Sequence, residues 1–128
     1  AVVRLIIGGA GQGKLDYALK KTGMDHSAVV LDPAQAGDKP ILYRLEAWVK
    51  ANPEVDHLAV LEELLALNPG IVILCDEVGC GVVPIAREER VWREAVGRLC
   101  CTLAQRADTV ERIFCGIPMT LKGDSAWN

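Results

Sequence analysis

Eight residues near the start of the chain limit its fold more than any others: Gly8-Gly9-Ala10-Gly11-Gln12-Gly13-Lys14-Leu15. Ahead of them runs Val2 to Ile7, a short β-branched stretch interrupted only at Arg4, which reads as a buried strand ending in a tight loop. After them, Lys14 to Thr22 is rich in helix formers, with Leu15, Ala18 and Leu19 on one face and Gly23 as a C-terminal stop. The spacing fits GxxxxGK between a strand and a helix. Glycines let backbone N–H groups turn inward around a phosphate, the helix N-terminus adds positive potential, and a lysine ammonium reaches the terminal phosphates. Gly8, Gly9, Ala10, Gly11, Gln12, Gly13, Lys14 and Leu15 are therefore the candidate phosphate-binding residues. The hydroxyl residue that usually follows the lysine and ligates Mg²⁺ is Leu15, whose side chain has no oxygen. Phosphate binding survives that loss better than metal-dependent transfer does.

The rest of the chain alternates in the same manner. Ala28 to Leu31 reads as a second strand, ended by Asp32-Pro33. Leu42, Leu45, Ala47, Trp48 and Val49 spread over a helix-like stretch stopped by Asn52-Pro53. Asp56 can cap a further helix carrying Leu58, Leu61, Leu65 and Leu67, which Asn68-Pro69-Gly70 ends. Ile71-Val72-Ile73-Leu74-Cys75 is apolar at every position, as a central parallel strand should be. A long helix is expected from about Arg87 to Arg106, with Val91, Ala95, Leu99 and Leu103 at steps of four. Val110 to Cys115 is the last strand expected, closed by Gly116 and Pro118. Four strands alternating with helices predict a three-layer, P-loop-like α/β domain with a mainly parallel sheet. At 128 residues the chain fits one such nucleotide-binding domain, residues 1–128.

Asp76-Glu77 follow the apolar strand directly, so two carboxylates arrive at its C-terminal end. In P-loop proteins that is where an acidic residue faces Mg²⁺ and a neighbouring Glu orients an attacking group. Asp76 and Glu77 are thus the candidate metal residues, and Lys14 and Glu77 the candidate catalytic ones. The plainer alternative is that acids after a strand merely cap the next turn. Val78 to Pro84 follows, with Gly79 and Gly81 flanking Cys80; such a loop suits close approach to a ligand, and a connecting turn explains it equally well.

Composition excludes other classes. The net charge is −3, with Lys and Arg scattered, which argues against a nucleic-acid binder. The longest apolar stretch, around Ile71 to Cys75, is too short to span a bilayer and no signal-type segment is seen, so a cytoplasmic protein with no membrane partner is expected. Five cysteines without a CxxC pair suggest reduced thiols, with Cys75 and Cys115 acting as small buried hydrophobes.

Glu77-Val78-Gly79-Cys80-Gly81-Val82-Val83-Pro84 resembles the N-E-V-G-x-G-V-V-P signature of the adenosylcobinamide kinase / adenosylcobinamide-phosphate guanylyltransferase family, with Asp76 at the Asn position. Gly8-Gly9-Ala10 is similar to the start of that family's G-G-A-x-S-G-K-S loop, with Gln12 and Leu15 at its two serines. Gly97-Arg98-Leu99, Ala107-Asp108 and Gly116-Ile117-Pro118 through Leu121-Lys122 resemble its C-terminal pattern, although Cys100-Cys101 replace its Asn-Gln. The resemblance implies a purine nucleotide, GTP or ATP with Mg²⁺, as ligand, a cobinamide-type corrinoid as a further partner, and a homo-oligomer. It also implies phosphorylation of a corrinoid hydroxyl, then GMP transfer through a guanylylated histidine. That histidine lies in a D-x-x-M-x-x-R-I-x-x-H segment between the second strand and the position of Asp56, and this chain has no such string. His26 and His57, its only histidines, occupy neither place and read as surface or capping residues. Two readings stay open: a kinase or nucleotidyltransferase, and a non-catalytic nucleotide or corrinoid sensor or scaffold.

Overall fold

The computed structural model describes residues 2–78, 86–124 and 127. Among these residues six strands and four α-helices follow one another as β1 (Arg4–Gly8), α1 (Lys14–Thr22), β2 (Val29–Val30), β3 (Ile41–Leu42), α2 (Leu45–Ala51), α3 (His57–Leu67), β4 (Val72–Asp76), α4 (Arg87–Arg106), β5 (Thr109–Phe114) and β6 (Ile117–Lys122). They form one sheet in the order β2-β3-β4-β1-β5-β6. Every neighbouring pair is parallel except β5 and β6. This is the expected α/β architecture with two strands more than the expected four.

Both extra strands have identifiable causes. β3 is two residues long, and Leu42 stands three before Leu45, so the strand end and the α2 core residue together mimic helical spacing. The expected helix-like stretch is therefore a strand followed by a helix. β6 lies beyond Cys115-Gly116, whose φ values of 51° and 76° are both positive, as a two-residue type I′ hairpin turn requires. The turn folds the chain back, and Pro118 does not stop it because a missing N–H is harmless on an edge strand. Cys115 is exposed in this turn, which corrects the expectation of a buried small hydrophobe; Cys75 is fully buried.

Alternation along the strands divides the core in two. On one face Ile6, Ile41, Val72, Leu74 and Ile113 pack with Ala18 of α1. On the other, Leu5, Leu42, Ile73, Cys75 and Val110 pack under α2, α3 and α4. Each fully buried Leu or Ile contributes about 1.5–3 kcal/mol of transfer free energy. In α3 the buried residues are Leu61 and Leu64, one helical turn apart, while Leu67 is exposed; in α4 they are Val96, Leu99 and Leu103, with Val91 exposed. Asp56 caps α3 by accepting a hydrogen bond from the Ala59 N–H at 3.1 Å.

The two faces matter for the site. β1 and β4 are adjacent, yet β1 leads into α1 on one face and β4 leads toward α4 on the other. Adjacent parallel strands whose helices depart to opposite faces leave a crevice at their C-terminal ends, where ligands of such sheets bind. Gly8 ends β1 there. A Cβ on it would sit 2.6 Å from the Ile113 carbonyl oxygen, so β5 can approach only a glycine.

Candidate phosphate-binding site

Residues 9–13 join β1 to α1 across that crevice. Gly13 is the N-cap of α1 at φ 91° and offers no side-chain cap, so first-turn N–H groups of the helix lack that partner. The loop is fastened from one side by Gln12, whose Oε1 accepts from the Cys115 N–H at 2.6 Å and whose carbonyl accepts from the Gly116 N–H at 2.9 Å. The β5–β6 turn thus buttresses the loop.

Lys14, only 4% exposed, bends back over its own loop. Its Nζ donates to the carbonyls of Gly8 at 3.1 Å and Gly9 at 2.8 Å, and lies 2.6 Å from Asp76 Oδ1. Three acceptors match the three protons of an ammonium. The Gly8 carbonyl also accepts the Glu77 N–H at 2.8 Å, which ties the end of β4 to the end of β1. Glu77 itself faces Arg112 of β5, whose Nε lies 3.1 and 3.2 Å from its two carboxylate oxygens. The loop and the carboxylates predicted from the sequence are therefore brought together, with each carboxylate already beside a cation.

A Mg²⁺ ion fits these side chains poorly. Leu15 supplies no oxygen and packs toward the α1-face core, Asp76 is held by Lys14, and Glu77 is held by Arg112. Among the described residues no group of three His, Cys, Asp or Glu side chains is placed to hold a metal ion.

Residues that sequence reading did not single out complete the site. A cavity of about 480 Å³ is lined by Ala10 through Asp16, Tyr43, Arg44 and Asp76. A second, of about 300 Å³, shares Ala10, Arg44 and Asp76 with it and extends to Glu46, Glu77 and Trp92. Glu46 of α2 is 4% exposed. Its Oε1 accepts the Asp76 N–H at 2.8 Å, and Trp92 Nε1 donates to its backbone carbonyl at 2.8 Å. Arg44 Nε lies 3.5 Å from Glu46 Oε2. The one available signal was a polar Tyr43-Arg44 pair directly after apolar Ile41-Leu42, the arrangement of a strand opening onto a crevice.

A larger cavity, about 560 Å³, lies between α2, α3 and α4 beside Val49, Pro53, His57 and Trp92. It shares no residue with the loop and has mainly apolar walls, so volume alone does not locate the chemistry. His57 stands there with its Nε2 2.6 Å from the Asn52 carbonyl and its ring edge-on to Trp48, a packing role. His26 is exposed in a 3₁₀ turn. Behind the site, Cys75 of β4 and Cys100 of α4 bring their Sγ atoms to 3.5 Å. The hydrogen bond between them, with burial, pushes the Cys75 thiol well above its ordinary value, and the same bond draws Cys100 down. Of the signature string, Glu77 and Val78 are placed and residues 79–84 lie outside the described residues.

The sequence is similar to known proteins over most of this fold. The family model described as CobU, cobinamide kinase / cobinamide phosphate guanyltransferase, matches residues 10–121, from the middle of the loop to β6. The bifunctional adenosylcobalamin biosynthesis protein CobP of Pseudomonas aeruginosa is 36% identical over 66 residues, a stretch covering 52% of this chain and 38% of that protein. The match thus spans well under half of the curated relative. With most of the loop, β4, α4 and nearly all of the hairpin inside the matched region, the chain belongs to the cobinamide kinase / cobinamide phosphate guanyltransferase family.

Proposed function

We propose that this chain binds a purine nucleotide, GTP or ATP, by its phosphates at the 8–15 loop, in the cobalamin-biosynthesis setting of its family. The observation that carries the reading is Lys14 Nζ, gathered with Asp76 at the head of α1 and surrounded by carbonyl oxygens that a phosphate oxygen can replace. In this reading the α1 N-terminus and the loop amides orient the phosphates. Lys14 leaves its loop carbonyls to meet them, and Asp76 keeps its ammonium in place. Glu77, oriented by Arg112, is the group beside the terminal phosphate that would accept a proton from a corrinoid hydroxyl in a kinase step. A homo-oligomer is part of the proposal, supported by Ile117, Met119 and Leu121, which stand exposed at alternate positions of the edge strand β6. Among the described residues no helix is long and apolar enough to cross a membrane.

A second reading has a specific observation behind it. Leu15 in place of a hydroxyl, two carboxylates already paired with cations, and no family-type histidine segment all favour a non-catalytic nucleotide or corrinoid sensor, or a scaffold. Titration of GTP, ATP and cobinamide into the purified protein, with Mg²⁺ and with chelator, tests the first reading. Lys14→Ala should weaken nucleotide binding by about 1.5–3 kcal/mol, the loss of a charged hydrogen bond. An unchanged titration removes the loop as the site. Phosphate transfer to cobinamide at ordinary enzyme rates would exclude the sensor.

A further inference from the structure

Arg44 stands in a backbone conformation that arginine rarely adopts. Its φ of 58° and ψ of 52° lie in the left-handed region, where a Cβ crowds the following carbonyl and glycine or asparagine is preferred. Strain of this kind persists where surrounding structure enforces it, and here the Arg44 carbonyl accepts from the N–H groups of Ala47 at 3.0 Å and Trp48 at 3.4 Å to begin α2. A glycine would do that without strain, so the cost is connected to the side chain. That side chain is 55% exposed, lines both cavities of the site, and among the described residues its guanidinium meets only Glu46 Oε2, at 3.5 Å.

Glu46 shows how the guanidinium is held. Its carboxylate is buried, one oxygen is fixed by the Asp76 N–H, and the other has no hydrogen-bond partner among the described residues. Buried carboxylate oxygens are ordinarily satisfied. Glu46 Oε2 therefore holds the guanidinium by charge at 3.5 Å rather than by a hydrogen bond, which leaves the exposed arginine its donors for a ligand in the cavities it lines.

Charge decides what the guanidinium meets. Lys14 is balanced by Asp76, Arg112 by Glu77 and Arg44 by Glu46, so these six groups sum to zero. A nucleoside di- or triphosphate brings several negative charges to this cleft, and Leu15 gives a counter-metal no oxygen. Arg44 carries a permanent charge, a fork that fits two phosphate oxygens, and enough exposure to reach them. We propose that Arg44 is a phosphate ligand of the nucleotide site, neutralising by direct guanidinium contact the charge that a loop hydroxyl and its metal would otherwise share. The inference rests on the reading that the 8–15 loop binds nucleotide.

The experiment titrates GTP and inorganic tripolyphosphate into the full chain and into Arg44→Gly, with Lys14→Ala measured alongside. Glycine fits the left-handed backbone, and that relief offsets part of the loss of the Glu46 pair, so Arg44→Gly should stay folded while binding both ligands about ten- to a hundred-fold more weakly, with chelator and with Mg²⁺ alike. Arg44→Lys should recover part of the affinity, because charge returns without the fork. If Arg44→Gly fails to fold, Arg44→Asn, which also tolerates the left-handed region, is read in its place. Undiminished affinity in Arg44→Gly beside a loss in Lys14→Ala overturns the arginine and leaves the loop standing. Undiminished affinity in both overturns the loop reading and the inference together. A loss in Arg44→Gly that saturating Mg²⁺ abolishes shows a metal carrying this charge, and also overturns the inference.

Discussion

Glu111 and Glu46 are buried carboxylates in opposite layers of the molecule, 2% and 4% exposed, and they are treated differently by their surroundings. Glu111 of β5 faces α1. Its Oε2 accepts from the Tyr17 hydroxyl at 2.5 Å and its Oε1 from Trp127 Nε1 at 3.0 Å, while the Arg4 guanidinium lies 4.2 Å from the centre of the Trp127 ring. Both oxygens are spoken for, and the cluster joins β1, α1, β5 and residue 127. Glu46 has one oxygen fixed and one without a hydrogen bond, beside a strained, half-exposed arginine and next to the phosphate loop. A closed network orders the fold; at the crevice the carboxylate only positions an arginine that faces the cavity.

Alanine at each position tests this difference most strongly. Glu111→Ala leaves two part-buried donors without their acceptor and opens a cavity, and should cost about 2–4 kcal/mol in urea unfolding. Glu46→Ala strands only the Asp76 N–H and releases Arg44, for about 1–3 kcal/mol. Nucleotide titration should order them the other way. Folded Glu111→Ala should bind as the natural protein does, and Glu46→Ala more weakly, because Arg44 loses the carboxylate that positions it. Equal effects of the two in both measurements would break the comparison.

Leu15 sits on the border between the two regions. It follows Lys14 in α1, yet its side chain packs with the core beneath α1. Leu15→Ser should therefore cost about 1 kcal/mol of stability through lost burial. It also places an oxygen where loops of this type hold Mg²⁺, and the ratio of nucleotide affinity with Mg²⁺ to that with chelator should rise about three- to ten-fold. A natural protein that already shows strong Mg²⁺ dependence would mean that the metal finds its oxygens elsewhere.

How much of this could be read in advance depended on element length. Lys14 and Asp76 were legible because Asp76 ends a five-residue strand that is otherwise apolar and Lys14 opens the helix after a glycine loop that follows another, and such boundaries identify themselves. Glu46 was not, because its partner Asp76 is thirty residues away and its helix follows a two-residue strand that blends into it. β6 was hidden for a related reason. Ile117, Met119 and Leu121 do alternate with polar residues or proline, but Gly116 and Pro118 read as a stop, and a turn through Cys115 rather than Asn or Asp conceals the hairpin. The long α4 has the expected bounds, and Leu99 and Leu103 of the expected stripe are buried with Ala95 beside the core, but Val91 at the regular step points to solvent and Val96 inward. Periodicity finds a helix; packing decides which face is buried.

The smallest effect expected comes from the hydroxyl that closes the Glu111 network. Burial, then the hydrogen bond to the Glu111 carboxylate, push the Tyr17 hydroxyl up to about 12 from its usual 10.0. Because the folded value is the higher one, both states keep the proton below pH 10 and the contribution is intact there. Between pH 10 and 12 the unfolded chain gives up this proton while the folded chain holds it, so stability falls through that window. Tyr17 is only partly buried, and solvent screening reduces the slope it produces. Tyr17→Phe should cost about 1 kcal/mol at neutral pH, where the hydrogen bond is simply lost. The natural protein and the variant should then converge as the pH is raised toward 12, which urea unfolding at stepped pH measures. A gap that stays constant across that range would mean that the Tyr17 proton is held no more firmly in the folded chain than in the unfolded one, and the Glu111 network would be less closed than its geometry indicates.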